Sequence, residues 1–514
     1  MAKKSNAVGS HRERRLAANN QPRDWVPSVW IVLGDVELFL ISKVGLPYSV
    51  LGFHTCVRNA NPWLRRIHSI CSRIVHPVSS SHWILKKEYG EATISALRLS
   101  DIVNAQYERI HDMIPIAASD STKNMSEPTH VPAEFVESAT IMQAADAKIR
   151  KALVNADITW QDYPCWDSSG NADGSAIAKA YSMQGILKYH GMADWHWRTA
   201  FIPSISVNND AAYTITRVDF RNGLRTDTLT INGDIVTGRP LQRVVRVLDH
   251  VRALSNSTNK ASVKSMNVMN AASTTKGLGT SAAAGAALAM AALEATLGQK
   301  ASENMRLVSS TARLLAGSAC RSAVGGIALW LSYPGVAHNK CFAVRLDSND
   351  ALADLRLITV PLESRSGLQT EQAHHAAPTS SFFQAWLHTR PDEVISCLQA
   401  TSSGDWETIC QLAELDSLRL HGVTMAANLE QSLLTWEPEN ISLFNMCRRL
   451  REQGVPVYFS TDTGPTTVLM TNADSQNEVM ENITSLEIGV DIISGGIGGP
   501  ATLIQSDDAK NFGI

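Results

Sequence analysis

The sequence has little charge and no concentrated excess of either sign. Only 18% of its 514 residues are charged, and 46 basic residues against 49 acidic residues leave a formal net charge of -3. Binding to nucleic acid depends on a concentrated basic surface that releases counterions. The composition therefore argues against a dedicated nucleic-acid-binding protein. With 44% hydrophobic residues it is typical of an ordinary soluble globular protein.

Closely spaced cysteines are also absent. The eight cysteines are scattered along the chain, and none forms the CxxC pair of a zinc knuckle or a redox couple. We expect reduced, mostly buried thiols in a cytoplasmic protein. His190, His374 and His375 are conspicuous, but no spacing of histidine, cysteine and aspartate requires a metal site, so we predict none.

The sequence offers no clear membrane or secretory segment. Residues 1–15 are basic and polar, but no apolar core with a cleavage site follows them as a secretory signal requires. The most apolar early stretch, residues 26–53, is interrupted by Asp35, Glu37 and Lys43. A spanning helix needs about 20 predominantly apolar residues. We therefore expect no membrane partner.

The most informative stretch is residues 270–285, NAASTTKGLGTSAAAG, which leads into an Ala- and Leu-rich run. Glycines let backbone N–H groups converge on an anion, and the helix that follows directs its positive end at that anion. Gly277, Gly279, Thr280 and Ser281 are therefore predicted to bind phosphate or nucleotide, and the two hydroxyls could also contact Mg²⁺. The structural alternative is a glycine-capped loop in which a hydroxyl caps a buried helix.

From about residue 160 the chain mixes strands and helices without the regular alternation of a doubly wound fold, which favours the α+β class. Residues 176–191, 201–207 and 211–220 are predicted strands. The Asn-Gly pair within residues 229–237 predicts a tight hairpin. Residues 241–254 have apolar side chains at helical spacing.

Residues 1–155 contain no motif with recognisable chemistry, and residues 119–132 have the composition of a linker. We treat residues 1–155 as an extension of unknown role. An accessory domain, a partly disordered extension and an upstream region wrongly joined to the reading frame all stay open. The rest divides into residues 156–345, which hold the phosphate loop, and residues 346–514.

Four segments resemble motifs of the diphosphomevalonate decarboxylases, a family within the GHMP kinase superfamily. Residues 273–282, STTKGLGTSA, resemble the superfamily's phosphate loop, and residues 316–330, AGSACRSAVGGIALW, resemble the decarboxylases' own G-S-A-C-R-S segment. Residues 186–191, ILKYHG, are similar to I-K-Y-W-G, and residues 455–469, VPVYFSTDTGPTTVL, are similar to a strand and turn ending in D-A-G-P-N. Weaker matches lie at residues 416–423 and 492–501.

These matches span about residues 175–505 in the family's order. The resemblance implies a two-domain α+β protein with a GHMP kinase-like fold and an extra N-terminal region. Its N-terminal part would be like domain 2 of ribosomal protein S5, and its C-terminal part would be ferredoxin-like. The resemblance also implies a homodimer that acts on a small phosphorylated mevalonate derivative in the cleft between its domains.

The resemblance implies an ATP-dependent diphosphomevalonate decarboxylase of isoprenoid biosynthesis. Family members use MgATP to phosphorylate the tertiary 3-hydroxyl of mevalonate 5-diphosphate, and loss of phosphate and carbon dioxide gives isopentenyl diphosphate. A decarboxylase of mevalonate 5-phosphate, or of mevalonate 3,5-bisphosphate, is an alternative. With the bisphosphate, ATP and Mg²⁺ would not be needed. A GHMP small-molecule kinase without decarboxylation and a non-catalytic binding relative are further alternatives.

Three residues carry the catalytic prediction, and their retention counts against the kinase and binding alternatives. Asp462 follows a β-type run, so a turn would present its carboxylate to orient or deprotonate the 3-hydroxyl, which is worth roughly 10²–10⁴-fold. Arg321 suits bidentate contact with the C1 carboxylate, and Lys188 would neutralise the departing phosphate. The structural alternatives are an Asx-type turn for Asp462, an ion pair for Arg321 and a solvated strand end for Lys188.

The resemblance also marks supporting residues and departures from the family pattern. The departures lie mainly at positions around the nucleotide and substrate phosphates. The decarboxylation residues Arg321 and Asp462, in contrast, match the family pattern. The supporting substrate-binding candidates are Tyr189, Ser318, Ser322, Ser380 and Ser381. The departures are Ser273 for proline, Lys276 for alanine, His190 for tryptophan, Met192 for a second lysine, Met183 for asparagine and Thr466 for asparagine.

Overall fold

The computed structural model describes residues 124–165, 173–269, 279–347, 350–429 and 434–514, together with three strands that precede them. The chain divides into two compact units, Met1–Pro115 and Ile116–Ile514. In the first unit, strands β1 (Trp25–Leu33), β2 (Val36–Lys43) and β3 (Gly52–Val57) form an antiparallel sheet in that order.

The second unit holds all the predicted site residues. Its elements up to the phosphate-loop helix are α1 (Val136–Asn155), β4 (Gly174–Leu187), β5 (Met192–Asp194), β6 (Thr199–Ala200), β7 (Ser204–Arg221), β8 (Thr228–Ile231), β9 (Asp234–Val236), α2 (Arg239–Ser255), β10 (Lys260–Met269) and α3 (Thr280–Leu297). Then come α4 (Gln299–Ser302), α5 (Met305–Ala312), α6 (Ala319–Val324), β11 (Ile327–Trp330), β12 (Ala343–Arg345), β13 (Leu355–Val360), α7 (Thr370–Ala376), α8 (Phe383–Ser403) and α9 (Trp406–Met425). The last elements are α10 (Pro438–Glu452), β14 (Val457–Thr461), β15 (Thr467–Asn472), α11 (Gln476–Thr484), β16 (Ile493–Gly495), β17 (Thr502–Leu503) and α12 (Ser506–Ala509).

The long strand β7 pairs with three other strands of the larger sheet. The two strands predicted at residues 201–207 and 211–220 are parts of this one continuous strand. Strand β4 pairs antiparallel along one edge of β7, while β10 and β11 pair with different lengths of the other edge. The predicted hairpin is confirmed as β8–β9. Its turn residues Asn232 and Gly233 have φ of 51° and 91°, as a type I′ turn requires.

Helix α3 follows the predicted phosphate loop and packs against β4 and β7. Gly285 permits α3 to pack closely against α6 as well, since a Cβ on Gly285 would lie 2.6 Å from the Cβ of Ala319 in α6. Among the described residues, α3 is the one helix long and apolar enough to cross a membrane, but most of it is buried against the sheet and neighbouring helices. We therefore interpret it as a core helix.

The smaller sheet has the order β14-β15-β13-β16 and is antiparallel throughout. One hydrophobic cluster contains Ile186 and Ile205 from the larger sheet and Leu357 and Met470 from the smaller one. The C-terminal strand β17 returns to pair with β4 of the larger sheet. The α+β class is confirmed. The two halves divided at residue 345 share a core, and one strand of the second half pairs in the sheet of the first.

Helix α1 lies within the segment that the sequence analysis treated as an extension, yet it belongs to the second unit. Met142, Ile149 and Leu153 on its apolar face are buried, and the last two join the cluster shared by both sheets. Just before α1, the ring of Phe135 lies 4.6 Å from that of Phe201. The structural boundary therefore falls near residue 115 rather than at residue 155.

We expect removal of residues 1–115 to leave the second unit folded, and removal of residues 1–155 to destabilise it. The longer deletion strips α1 from the shared core, and losing a single large buried apolar side chain typically costs about 2–5 kcal/mol. Urea midpoints of the two truncated proteins would measure the difference. Equal midpoints would show that α1 contributes little to the core.

Candidate active site

Lys188 follows β4 directly, and its side chain is only 2% exposed. Its Nζ donates to the carbonyl oxygen of Gly185 and to Oγ of Ser460, both at 2.5 Å, and lies 3.2 Å from Oδ1 of Asp462. Burial lowers the pKa of Lys188, and the carboxylates of Asp462 and Asp416 act in the opposite direction. Lys188 is therefore a buried, acid-paired ammonium group and not a solvated strand end.

Asp462 follows β14 directly, which is the strand end that the sequence predicted. Its side chain is 42% exposed, so the carboxylate contacts Lys188 on one side and is open on another. Nε2 of Gln184 donates to Ser460 Oγ at 2.8 Å and lies 3.4 Å from Asp462 Oδ1. Because β4 and β14 belong to different sheets, this contact joins the two halves of the unit at the site.

Gly185 allows this approach of β4 and β14. A Cβ on Gly185 would lie 2.8 Å from Oδ1 of Asp462 and 2.9 Å from Cδ of Lys188. Such distances are well inside van der Waals contact, so a side chain would separate the pair. The sequence did not predict Gly185, Gln184 or Ser460 as site residues, because each acts through contacts between distant segments.

A buried carboxylate on α9 holds the end of β4. Oδ2 of Asp416 accepts from the backbone N–H of Lys188 at 2.5 Å, and Oδ1 accepts from Nε1 of Trp386 at 2.7 Å. Nη2 of Arg390 lies 2.9 and 3.1 Å from the two oxygens. Asp416 begins the segment 416–423 that weakly resembled the family. It positions Lys188 through the backbone.

Arg321 on α6 is buried without an acidic partner. Its Nη1 donates to Oγ of Ser204, Nη2 lies 3.4 Å from Sδ of Met183, and its Nε has no hydrogen-bond partner. Burial lowers the pKa of Arg321, and the Asp462 carboxylate is among the groups that oppose this shift. Within the described part of the chain, no carboxylate lies within ion-pair distance of Arg321. The structure thus lacks the ion pair that was the alternative interpretation.

Tyr189 lies beside Arg321 and interacts with the charge of a second basic group. The guanidinium carbon of Arg321 lies 5.4 Å from the centre of the Tyr189 ring, and the His374 ring stacks on it at 5.1 Å. Burial raises the pKa of Tyr189, whereas the nearby charges of Arg321 and Arg198 lower it, as does a hydrogen bond with Ser318. Tyr189 and Ser318, both predicted site residues, are therefore brought together beside Arg321.

The second basic group, which we call the arginine cluster, consists of Arg198, Arg239, Arg243 and Arg246 with the acid Glu371. Arg198 is 7% exposed, and its Nε has no hydrogen-bond partner. Burial and the charges of Arg243 and Arg246 lower the pKa of Arg198 to about 9. Nε and Nη2 of Arg243 donate to the carbonyl oxygen of Leu315 at 2.9 and 2.8 Å. The cluster is a concentrated positive region beside Tyr189.

The arginine cluster was not predicted from the sequence, although one signal of it was present. Arg239, Arg243 and Arg246 are spaced four and three residues apart on α2, which places them on one helix face. That spacing predicts a basic stripe but not its location. Arg198 and Glu371 come from distant segments, and only the fold brings them to this stripe.

The predicted phosphate loop is described only from Gly279 onwards, and Gly277 lies outside the described residues. Gly279 has φ of 68°, and a Cβ there would lie 2.7 Å from the carbonyl oxygen of Met183 in β4. It occupies the N-cap position of α3, so neither Thr280 nor Ser281 caps the helix. Their hydroxyls and the positive end of α3 suit a phosphate group in this region.

The remaining predicted serines differ in their surroundings. Ser322 is fully buried, and its Oγ has no hydrogen-bond partner. Ser380 is buried, and its Oγ accepts from the backbone N–H of Phe382 at 3.3 Å, which is a local turn. Ser381 is exposed. The structure therefore gives these three residues no direct contact with the Lys188–Asp462 pair.

Several buried histidines surround the site, but none belongs to a metal-binding group. Nε2 of His190 lies 3.1 Å from Oγ1 of Thr424, and Nε2 of His421 lies 3.0 Å from Oγ1 of Thr461. Burial is the main cause that lowers the pKa of His190 and of His421 to about 3. Within the described ranges, no three histidine, cysteine or acidic side chains are placed to hold a metal ion.

Known proteins similar to this chain act on phosphorylated mevalonates. Residues 180–343 match the family described as the diphosphomevalonate decarboxylase-like N-terminal domain. The chain is 34% identical to the phosphomevalonate decarboxylase of Haloferax volcanii over 336 residues, covering 65% of this chain and 99% of that protein. It is 27% identical to the mevalonate 3,5-bisphosphate decarboxylase of Thermoplasma acidophilum, covering 61% of this chain and 75% of that protein.

Solved structures that are similar to this chain are mevalonate diphosphate decarboxylases. The crystal structure of mevalonate diphosphate decarboxylase from Staphylococcus aureus superposes with a TM-score of 0.59 at 27% identity, covering 65% of this chain and 98% of that one. The mevalonate diphosphate decarboxylase of Enterococcus faecalis, studied for its ATP binding, superposes with a TM-score of 0.58 at 26% identity, covering 65% of this chain and 100% of that one.

We expect Gly185→Ala to lower kcat by about 100-fold while the fold is retained. The new Cβ would displace Lys188 and Asp462 from each other, and a displacement of about 1 Å within a catalytic group can cost about 10²-fold. Decarboxylase assays and circular dichroism would measure both effects. Gly422→Ala in α9 is the matched control, because its Cβ would meet only Phe382 Cδ2, at 4.0 Å. Full activity in Gly185→Ala would contradict the close approach.

We expect the free energy of unfolding to decrease as pH falls below about 6.5. Burial lowers the pKa of His190, His250 and His421 from 6.5 to about 3 in the folded protein. Between these values the unfolded chain binds protons that the folded chain excludes, at up to about 1.4 kcal/mol per pH unit for each histidine. Urea midpoints at pH 7, 6 and 5 would test this. A constant midpoint would mean that these histidines titrate normally in the folded protein.

Proposed function

Because the chain belongs to the diphosphomevalonate decarboxylase family of the GHMP kinase superfamily and is a carboxy-lyase of that family, we propose that it decarboxylates mevalonate 5-phosphate in an ATP-dependent reaction. The tertiary 3-hydroxyl is phosphorylated, and the 3-phosphate and carbon dioxide then leave to give isopentenyl phosphate. The observation that carries this proposal is the buried Arg321, without an acidic partner, beside the Lys188–Asp462 pair.

Arg321 binds the C1 carboxylate of the substrate. Leaving a buried guanidinium group without an anion is costly, so the site favours an anionic ligand at this point. The planar guanidinium group can hold a carboxylate through two parallel hydrogen bonds. Ser204 and Tyr189, which contact the guanidinium group, limit its rotation. The carboxylate is thereby held in place until the C1–C2 bond breaks.

Asp462 and Lys188 act on the 3-hydroxyl. The open side of the Asp462 carboxylate accepts the hydroxyl proton, while Lys188 keeps the carboxylate in place. After phosphorylation, the C3–O bond breaks and its electron pair leaves with the phosphate. The pair from the C1–C2 bond then forms the new double bond. The Lys188 ammonium group stabilises the negative charge that develops on the departing phosphate.

The residues at the start of α3 fit a nucleotide phosphate. Gly279 brings the backbone close to β4, and the hydroxyls of Thr280 and Ser281 are not used as helix caps. These groups and the positive end of α3 would hold the phosphates of MgATP. ATP, when bound, supplies the phosphoryl group for the 3-hydroxyl. The Enterococcus faecalis relative studied for ATP binding supports this cofactor.

The 5-phosphate binds to the arginine cluster. A mevalonate bound at Arg321 by its carboxylate would extend along Tyr189, which adjoins both Arg321 and Arg198. Its distal phosphate would then meet Arg198 and Arg243. The similarity to the Haloferax volcanii phosphomevalonate decarboxylase supports a monophosphate, as does the buried Met192 where the family commonly has a second lysine.

A second candidate substrate is mevalonate 5-diphosphate, the leading expectation from the sequence resemblance. It is supported by the similarity to the mevalonate diphosphate decarboxylases of Staphylococcus aureus and Enterococcus faecalis. Mevalonate 3,5-bisphosphate is the substrate named for the Thermoplasma acidophilum relative. These substrates differ in the number and position of phosphates, so direct comparison separates them.

We expect carbon dioxide and phosphate release from mevalonate 5-phosphate only when MgATP is present. The test incubates the purified protein with mevalonate 5-phosphate, its 5-diphosphate and its 3,5-bisphosphate, each with and without MgATP. Asp462→Asn is the control, and it should fold normally but lose turnover because it cannot take the hydroxyl proton. Release from the bisphosphate alone, without nucleotide, would replace the proposed reaction. No release from any of the three would reject it.

A further inference from the structure

Helix α9 contacts the ends of both strands that carry the Lys188–Asp462 pair. Asp416 on this helix is fully buried and accepts the backbone N–H of Lys188, which follows β4. The next residue, Ser417, is also fully buried, and its Oγ accepts from the backbone N–H of Thr461 at 3.1 Å. Thr461 ends β14 and directly precedes Asp462. Two adjacent residues of one helix therefore hold both strand ends.

A second contact with the end of β14 comes from His421, one turn later on α9. Nε2 of His421 lies 3.0 Å from Oγ1 of Thr461, and Nδ1 lies 2.6 Å from Oγ1 of Thr435. Burial lowers the pKa of His421 to about 3, although a hydrogen bond with the backbone of Asp462 acts in the opposite direction. The ring also packs against that of Trp436, with 4.4 Å between the ring centres. Both ring nitrogens have partners, so the orientation of the ring is fixed.

The same helix also reaches the segment that follows β4. Oγ1 of Thr424, about one turn after His421, lies 3.1 Å from Nε2 of His190. His190 comes two residues after Lys188, and both it and Thr424 are buried. Helix α9 therefore contacts the ends of β4 and β14 over about two helical turns.

These contacts matter because the two strands lie in different sheets. The backbone hydrogen bonds of β4 run to β7 and β17, and those of β14 run to β15. The distance between Lys188 and Asp462 therefore depends on side-chain contacts that link the two strand ends. A helix suits this purpose, because its own hydrogen bonds fix the spacing of the residues on its face.

We propose that Ser417 and His421 are positioning residues that hold the end of β14 against α9. By binding Thr461, they set the carboxylate of Asp462 at its distance from Lys188. This inference rests on the role of Asp462 in the function proposed above. Because the same helix also holds the end of β4, loss of either contact would shift Asp462 relative to Lys188. A displacement of about 1 Å within a catalytic group can cost about 10²-fold in rate.

The test compares His421→Phe with His421→Gln. Phenylalanine keeps a ring against Trp436 but offers no hydrogen-bonding atom, whereas the amide of glutamine can still bond to Thr461. We expect kcat to fall about tenfold or more in His421→Phe and to fall less in His421→Gln, with KM for mevalonate 5-phosphate nearly unchanged in both. If His421 served packing alone, phenylalanine would be the better substitute. A kcat in His421→Phe that equals or exceeds that in His421→Gln would overturn the inference.

His250→Phe is the matched control for the loss of a buried imidazole. His250 is also buried, and burial lowers its pKa to about 3, but it lies on α2. We expect this control to keep the wild-type kcat, and a fall equal to that of His421→Phe would overturn the inference. Ser417→Ala is a smaller change that removes the other bond to Thr461. It should lower kcat with KM nearly unchanged, and a wild-type kcat would reject the role of Ser417.

A structural measurement separates failure of this inference from failure of the proposed function. Crystal structures of the full-length wild type and both His421 variants give the distance between Nζ of Lys188 and Oδ1 of Asp462 without any turnover. We expect this distance to stay near 3.2 Å in His421→Gln and to exceed about 4 Å, the limit of an ion pair, in His421→Phe. Such an increase in a protein that decarboxylates nothing would reject the function but keep the positioning role. An unchanged distance in an active decarboxylase would reject only the positioning role.

Discussion

The contact between Lys188 and Asp462 is the interaction on which the rest of the site depends. An ammonium group taken out of water is tolerated only if an acid and hydrogen-bond acceptors replace its hydration. Asp462, Ser460 and the carbonyl oxygen of Gly185 supply these partners. Because they come from β4 of one sheet and β14 of the other, the contact can form only when both halves of the unit have folded together.

The surrounding structure supports this contact in three ways. Asp416 on α9 holds the end of β4 by accepting the backbone N–H of Lys188, and Gly185 leaves room for the two strands to approach. The shared hydrophobic cluster, which includes residues of α1, keeps the two sheets together behind the site. A segment without any recognised motif therefore supports the geometry of the candidate site through packing.

Charged groups lie around Tyr189 in the candidate site. Arg321 lies beside the Tyr189 ring and interacts with the charge of Asp462, and Arg198 of the arginine cluster also interacts with Tyr189. Unpaired buried guanidinium groups are costly in a folded protein, and a bound anion would offset that cost. The proposed substrate, with a carboxylate at one end and a phosphate at the other, would supply such anions to Arg321 and to the arginine cluster.

Local features were predictable because they depend on neighbours in the chain. The Asn232-Gly233 turn needs two residues that accept positive φ, and α2 follows from the spacing of its apolar side chains. Asp462 at the end of β14 was predicted in the same way. The extent of the folded unit was not, because α1 has no motif and reveals its role only through the core it enters.

By itself, the sequence determined the α+β class through its mixed pattern of strands and helices. Its short motifs determined the family resemblance and indicated Lys188, Arg321 and Asp462 as candidate catalytic residues. Only the tertiary structure decided which groups surround them. Arg198, the basic face of α2 and Glu371 come from three segments separated by many residues, and their charges interact only after folding. The charge of this region depends on that assembly, because electrostatic interactions act between side chains that are close in space, whatever their separation in the sequence.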